Sequence, residues 1–294
     1  MSKITVEEIL KKVRKLEIVA KKLSNELFAG DYQSAFKGRG MSFSEVRDYQ
    51  SGDEIRTIDW NVTARFNTPF VKVFDEEREM TLMLVIDCSA SGSIGAGEKG
   101  KKEYITEIAA VIAYSALQNK DKIGLLLFTD KVEKFIPPKK GKSHILHIIR
   151  EIVAFEPTGS KTNISKGLDQ LNKFVKNKAT VLLLSDFIAP PFEDSLRYTS
   201  KKHDLVSVCV SDTLEHTIPN CGLLPVMDKE TGRMFWLDTS NKKIMQQYAD
   251  HYTKHIENIT QVFRKHQVDC VVVSTETDYV KPLHALFKKR GKKR

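Results

Sequence analysis

The chain has 294 residues, enough to bury one sizeable core or one domain with a smaller companion. Its hydrophobic and charged fractions, 41% and 29%, are those of a globular protein, and no apolar run reaches the about 18 residues of a membrane-spanning helix. The net charge is +9, and the last seven residues contain six of the positive charges. Because no aromatic residues are interleaved with them, this run is more typical of a solvated tail than of a nucleic-acid groove.

The start of the chain and its cysteines both bear on the compartment. Acidic residues appear at once, at Glu7 and Glu8, where a signal peptide would be apolar. The four cysteines form no C-x-x-C pair and no spacing suited to zinc, which is typical of a reducing compartment. We therefore expect a cytoplasmic protein without membrane insertion.

The first 69 residues are predicted to form an N-terminal helix and a polar wrapper segment. Thr5 and Glu8 form a capping box, apolar residues recur at helical spacing from Ile9 to Leu27, and Gly30 ends the helix. The stretch 38–66 is dense in charged and aromatic residues, which favours a loop or extended segment over a core element. Its charged residues could form an ion-pair network with Trp60 as an apolar anchor; these are Arg47, Asp53, Glu54, Arg56, Asp59 and Arg65.

From about residue 70 the pattern becomes one of alternating strands and helices. Short apolar runs predict buried strands over Thr81–Ile86, Ile123–Phe128, Val181–Ser185, Leu205–Val210 and Val268–Ser274. Helical patterns lie between them, over Lys101–Leu117, Ser143–Val153, Ile164–Val175, Phe192–Lys202 and Ser240–His266. Such alternation predicts an α/β fold with a doubly wound, mostly parallel sheet.

Three further elements complete the predicted architecture. Val132–Ile136 follows its strand after only three residues, too few for a crossover, and is therefore an antiparallel edge strand and the sixth strand of the sheet. Leu223–Met227 and Met234–Leu237 form a small β-hairpin insertion. We thus divide the chain into residues 1–69, an α/β domain over 70–276 with the hairpin near 223–237, and a C-terminal helix with a basic tail over 277–294.

Hard oxygen ligands converge on the carboxyl edge of this sheet. Asp87, Ser89 and Ser91 follow one strand, Asp186 follows another, and Thr162 lies in the loop before a helix. Ligands of open α/β sheets sit beyond the carboxyl ends of the strands. Two carboxylates with three hydroxyls suit Mg²⁺ or Mn²⁺, and the absence of His and Cys disfavours zinc. Without a metal, Asp87 and Asp186 should repel each other.

These five positions resemble the metal-ion-dependent adhesion site of von Willebrand factor A domains. The D-x-S-x-S run at Asp87–Ser91 is a weak pattern alone, but Thr162 and Asp186 follow it in the expected order. The resemblance implies a von Willebrand A-like domain over residues 70–276, with one ion bound through these residues. An adjoining Lys161 departs from the family, which commonly keeps Gly there.

A second resemblance concerns most of the chain from about residue 38. The run from Gly40 to Trp60 with Ala64-Arg65, the run Val226–Gly232 and the closing Pro282–Arg290 are similar to bacterial domain-of-unknown-function family 58. That family is read as adaptor-like and is often encoded beside MoxR-type AAA+ ATPases. The resemblance implies a protein partner that supplies a Glu or Asp to the metal, and it names a MoxR-type AAA+ ATPase as the candidate partner, in assembly or remodelling of a complex.

Two other functions stay open as alternatives. The basic surface and tail would serve a nucleic-acid-binding protein, and Asp87 at a strand end would serve a Mg²⁺-dependent hydrolase. Against an enzyme, Ser89 stands where a dehalogenase-type phosphatase needs a second acid, and no G-x-S-x-G elbow occurs. Gly95–Lys102 nearly matches a phosphate-binding loop, but Lys102 replaces the required hydroxyl. We expect no catalytic residues and no organic cofactor.

Overall fold

A computed structural model describes residues 6–28, 42–75, 80–89, 100–227 and 233–293. These residues form two compact units, one within 1–36 and 81–294 and the other within 37–80. The predicted domain boundaries after residues 69 and 276 stay predictions. Thr5 of the capping box, Gly30 and the turn of the hairpin lie outside the described residues.

The helices and strands follow each other closely along the chain. The helices are α1 (Val6–Phe28), α2 (Trp60–Phe66), α3 (Lys101–Gln118), α4 (Lys142–Ala154), α5 (Ile164–Phe174), α6 (Glu193–Lys202), α7 (Lys242–Lys265) and α8 (Val280–Lys293). The strands are β1 (Ser42–Asp48), β2 (Phe70–Asp75), β3 (Thr81–Asp87), β4 (Lys122–Phe128), β5 (Val132–Lys139), β6 (Thr180–Ser185), β7 (Asp204–Ser211), β8 (Leu223–Met227), β9 (Met234–Asp238) and β10 (Asp269–Ser274).

A six-stranded sheet organises the larger unit. Its order is β10-β7-β6-β3-β4-β5; all neighbours are parallel except β5, which runs antiparallel at one edge. The mostly parallel sheet and the antiparallel edge strand predicted from the sequence are confirmed. After β3 the chain adds β4 and β5 on one side of it, and then adds β6, β7 and β10 on the other side. The carboxyl ends of β3 and β6 are therefore the topological switch point of the sheet.

Helices cover both faces of this sheet. Met83 and Val85 of β3 pack into a core with Leu168 of α5 and Phe263 of α7. The alternate residues of β3, Leu82, Leu84 and Ile86, point to the opposite face and are equally buried, where α3 contacts β3 and β4. A strand buried on both faces reads as a continuous apolar run, which is why the central strands could be recognised from the sequence.

Helices at both ends of the chain also join the larger unit. Helix α1 packs on α3 and α4, with Val13 and Ala20 buried and an ion pair of 2.9 Å between Glu17 and Lys142. In α8 the guanidinium of Arg290 is buried between the carboxylates of Asp204 and Asp269, at 2.6 Å from each. Arg290 is therefore an internal ion-pairing residue, and the prediction of a uniformly solvated basic tail is wrong at this position.

The smaller unit contains more regular structure than its polar composition predicted. Strands β1 and β2 pair antiparallel, and Asp59 caps helix α2 by accepting hydrogen bonds from the next backbone amides. Arg47 forms a two-pronged pair with Asp53, at 2.7 and 2.8 Å, and Lys72 pairs with Asp59 at 3.5 Å. Among the described residues, one pair of the predicted network forms, Arg47–Asp53, while Asp59 pairs with Lys72, which the prediction did not include. Trp60 is exposed and is no anchor within this unit.

Candidate metal centre

Asp87 and Asp186 lie at the switch point, as the sequence predicted. Asp87 is the last residue of β3, Asp186 follows the last residue of β6, and the two strands are hydrogen-bonded neighbours. Both side chains are buried. The proximity of the two carboxylates is a consequence of parallel pairing, because the carboxyl ends of β3 and β6 meet at one edge of the sheet.

The Asp87 carboxylate is held by donors from two strand ends. The Ser185 hydroxyl donates to Oδ2 at 2.6 Å, and the Ser89 amide donates to Oδ1 at 2.9 Å. The Ser89 hydroxyl also hydrogen-bonds this carboxylate. Burial, and then the charge of Asp186, raise the pKa of Asp87 to about 6, against the hydrogen bonds from the serines. Ser185 was not among the predicted site residues, although its place directly before Asp186 made it a candidate.

The loop that carries Thr162 is tied to the adjoining strands. The carboxylate of Glu133 in β5 accepts from the Gly159 amide at 2.8 Å and from the Thr158 hydroxyl at 2.8 Å. The Asn163 amide donates to the Thr129 carbonyl, 2.9 Å away, just beyond the end of β4. Since β4 pairs with β3 up to Asp87, these bonds bring the loop to the same edge as the two aspartates.

Among the described residues, Thr162 is the predicted hydroxyl ligand whose side chain lacks a hydrogen-bond partner. It is 4% exposed, and among the described residues its Oγ1 has no hydrogen-bond partner. A buried hydroxyl without a partner costs roughly 1–3 kcal/mol, so such a group points to something that completes its bonding. The neighbouring Lys161 is exposed, so the departure from the family noted in the sequence does not introduce a charge into the site.

The Asp186 carboxylate is held by a residue that the sequence analysis did not assign to the site. Lys101 Nζ lies 3.1 Å from Asp186 Oδ2 and also pairs with Glu215. The lysine is 1% exposed. Burial alone would lower the pKa of Lys101, but the charges of Asp186 and Glu215 outweigh it and raise that pKa. The ammonium therefore stays charged and offsets the repulsion expected between Asp87 and Asp186.

The turn after β6 fixes how Asp186 is presented. Phe187 adopts a left-handed conformation with φ of 58°, uncommon for a bulky residue, and its amide donates to Ser185 Oγ at 2.9 Å. The ring of Phe187 is buried against Phe192 and Phe263. Ile188 N donates to Asp186 Oδ1 at 3.1 Å. This packing and these bonds hold a strained turn that aims the carboxylate at the site.

The described donors suit a hard cation. The structure brings Asp87, Ser89, Thr162 and Asp186 to one edge, whereas Ser91 lies outside the described residues. No cluster of three or more His, Cys, Asp or Glu residues arranged for a metal is found in the part of the chain that the structure describes. Two carboxylates, hydroxyl oxygens and an unpartnered Thr162 fit an ion such as Mg²⁺ that keeps several waters, with Lys101 as a second cation on Asp186.

Comparison with known proteins places the chain in a family. The model of the family described as "Protein of unknown function DUF58" matches residues 45–258, so the chain belongs to that family. Similar curated proteins include Rv1480 of Mycobacterium tuberculosis (strain ATCC 25618 / H37Rv), 25% identical over 91% of this chain and 85% of the relative. YeaD of Bacillus subtilis (strain 168) is 28% identical over 37% of this chain and 25% of its own length.

Two solved structures show a weaker similarity. The conserved hypothetical protein BatB from Bacteroides thetaiotaomicron aligns with 72% of this chain and 99% of its own, at 12% identity and a TM-score of 0.44. An aerotolerance-related membrane protein from Bacteroides fragilis NCTC 9343 aligns with 73% of this chain and 100% of its own, at 12% identity and a TM-score of 0.48. Within the described residues of this chain, no helix has the length and apolarity to cross a membrane.

Proposed function

We propose that this chain is a von Willebrand A-type domain that binds one Mg²⁺ or Mn²⁺ ion and, through it, another protein. The observation that carries the proposal is the buried Thr162 hydroxyl, which has no partner among the described residues and lies at the same sheet edge as two buried carboxylates. Other buried polar atoms of the described residues also lack a partner, Ser207 Oγ for example, but Thr162 lies at the sheet edge that carries the two carboxylates. The strand order, with one antiparallel edge strand, supports the same assignment.

Each residue has a distinct role in this proposal. Asp87 and Asp186 supply negative charge, Thr162 and Ser89 supply hydroxyl oxygens, and Ser185 holds Asp87 in place through its hydrogen bond of 2.6 Å. Ser91 would add a further hydroxyl. When bound, the ion would offer an open coordination position to a Glu or Asp of the partner. The chain thereby recognises a carboxylate without using a basic side chain to do so.

An exposed apolar surface supports a protein as the partner. Leu223, Pro225 and Met227 of β8 share one face of the hairpin with Met234 and Trp236 of β9, and all five are exposed, Trp236 at 71%. The insertion that carries the hairpin starts at the carboxyl end of β7, on the same edge as the metal centre. Clustered exposed apolar residues are typical of protein interaction sites, so we assign this face to the same partner.

The described residues favour binding over catalysis. Cys88 is the nucleophilic residue nearest to Asp87 in sequence, but burial and the charge of Asp87 raise the pKa of its thiol well above the ordinary range, so it stays protonated. The nucleic-acid alternative loses part of its support, since Arg290, one of the six cations near the chain end, is buried in ion pairs. The family resemblance makes a MoxR-type AAA+ ATPase the partner to test first, in the cytoplasm of the host.

A pull-down from the native host tests this function. The bait proteins are wild type, Thr162→Ala and the control Thr253→Ala, an exposed threonine of α7. We expect wild type and the control to recover the partner in Mg²⁺ and to release it in EDTA, and Thr162→Ala to recover much less. Equal recovery under all these conditions would show that the metal does not mediate the contact.

A further inference from the structure

Lys101 stands out because a lysine is rarely so completely buried. Its side chain is 1% exposed, and its ammonium bridges two carboxylates from different parts of the sheet edge. Asp186 follows β6, while Glu215 lies in the short 3-10 helix Thr213–Glu215 that follows β7. Burying an ammonium is costly unless it is paired, so these contacts are needed for Lys101 to remain inside.

The charges of the cluster explain what Lys101 does when no metal is bound. Asp87, Asp186 and Glu215 would place three carboxylates near one another, with Lys101 as the cation among them. Glu215 is itself fixed, because its second oxygen accepts from the Asp212 amide at 3.0 Å in a capping box. The ammonium therefore serves as a built-in counter-ion that lets the edge fold without a metal.

The same contact restricts access to Asp186. Its Oδ2 is occupied by the Lys101 ammonium and its Oδ1 accepts from the Ile188 amide. A divalent ion that takes up an oxygen of Asp186 would approach the ammonium closely, and like charges repel strongly where water is excluded. The ion must therefore either displace Lys101 from Asp186 or bind with reduced affinity. Glu215 gives a displaced ammonium a second partner.

We propose that Lys101 is an internal competitor of the divalent ion for Asp186. In this proposal, which rests on the metal site of the proposed function, the lysine stabilises the metal-free domain and weakens metal binding. The metal and a partner carboxylate together then displace Lys101 from Asp186, which the metal alone does poorly. Partner binding would consequently raise the occupancy of the site at a given metal concentration.

Manganese titration of purified variants tests the competition. The variants are Lys101→Met, which removes the ammonium but keeps an extended side chain, and Lys102→Met, a matched control at an exposed neighbour whose ammonium donates to the Phe155 carbonyl. The dissociation constant of Mn²⁺ is measured by water-proton relaxation without any partner. We expect Lys101→Met to bind Mn²⁺ about tenfold or more tightly than wild type. The control should keep the wild-type value.

A second variant guards against loss of folding. Lys101→Met leaves Asp186 and Glu215 without their cation, whereas Lys101→Met with Glu215→Gln removes one positive and one negative charge together. The double variant should fold without metal and show the same gain in Mn²⁺ affinity. Both variants should also gain more in melting temperature on adding Mn²⁺ than wild type does.

The outcomes separate this inference from the proposed function. Equal or weaker Mn²⁺ binding in the folded Lys101 variants, with binding lost in Asp87→Ala, would overturn the competition and leave the metal site standing. No Mn²⁺ binding in wild type or in any variant would overturn both. Tighter Mn²⁺ binding in the Lys101 variants, together with a pull-down in which EDTA does not release the partner, would support the competition and refute the metal bridge.

Discussion

Replacing Asp87 by Asn should stabilise the metal-free protein at neutral pH. Burial and the charge of Asp186 raise the pKa of this carboxyl from 3.8 to about 6. The folded state thus holds the proton more tightly than the unfolded state, so the contribution of Asp87 to stability is complete below about pH 3.8 and is lost as pH rises through about 6. Ionised Asp87 then costs up to about 3 kcal/mol, which neutral Asn avoids.

The net gain is smaller than this figure, because Asn keeps only one acceptor oxygen. Asp87 accepts from Ser185 and from the Ser89 amide on different oxygens, and one of these bonds is lost. A lost hydrogen bond costs about 1 kcal/mol, which leaves a net stabilisation of about 2 kcal/mol above pH 7. Near pH 4 wild type already carries the proton, and the advantage of Asn should vanish.

Urea unfolding in EDTA from pH 4.5 to 7.5 measures this difference, and Asp194→Asn, at an exposed aspartate of α6, is the control. In a second series without EDTA, Mg²⁺ at about 100 times its dissociation constant should raise the free energy of unfolding of wild type by about 2.7 kcal/mol. The same Mg²⁺ should leave the free energy of unfolding of Asp87→Asn unchanged. A metal-free Asp87→Asn protein that is less stable than wild type at pH 7.5 would refute the reasoning, since the carboxylate would then be a structural requirement. Asp186 is unsuitable for this test, because its loss would also deprive Lys101 of a partner.

Three further predictions concern the larger unit. Arg290→Met should lower the free energy of unfolding, measured in urea, by about 3 kcal/mol, because it leaves two carboxylates without their cation. The control Lys289→Met should change it by less than about 0.5 kcal/mol. Equal effects of the two substitutions would mean that the ion pairs of Arg290 do not contribute to stability. Gly159→Ala places a methyl carbon 2.3 Å from oxygens of the Thr129 and Asp130 side chains, so it should destabilise by about 1–3 kcal/mol and weaken Mn²⁺ binding. Gly100→Ala should do neither, because among the described residues no atom other than those of its chain neighbours lies within 4 Å of the added methyl. Trp236→Ser should leave stability within about 0.5 kcal/mol of wild type but reduce partner recovery several-fold in the pull-down; a marked drop in melting temperature would show instead that the hairpin face packs within the fold.

The sheet could be predicted because each of its strands can be recognised from its own local sequence. Each central strand is a short, unbroken apolar run, and polar residues mark where it ends, so the aspartates could be placed at the carboxyl edge without knowing the packing. The structure of the segment 38–66 was harder to predict from the sequence. Its helix α2 depends on the Asp59 cap, and β1 depends on pairing with β2, about 30 residues later.

The ion pairs of the interior could not be predicted in the same way. Lys101 and Glu215 are separated by 114 residues, and Arg290 and Asp204 by 86. Nothing in the local sequence distinguishes a lysine that turns inward at the start of a helix from one that faces solvent. Such residues are recognised only when the fold has brought their partners together, which is why the sequence placed Lys101 at the start of a predicted helix and not in the metal site.

The most direct test of the account is to locate the ion itself. Crystals grown with Mn²⁺ and measured at the manganese absorption edge should show one anomalous peak at the carboxyl edge of the sheet, within about 2–2.5 Å of an oxygen of Asp87 and close to Thr162 Oγ1. Crystals of Asp87→Ala under the same conditions should lack that peak. A wild-type map without a peak there, or with its strongest peak at another group of carboxylates, would contradict the assignment of the metal centre.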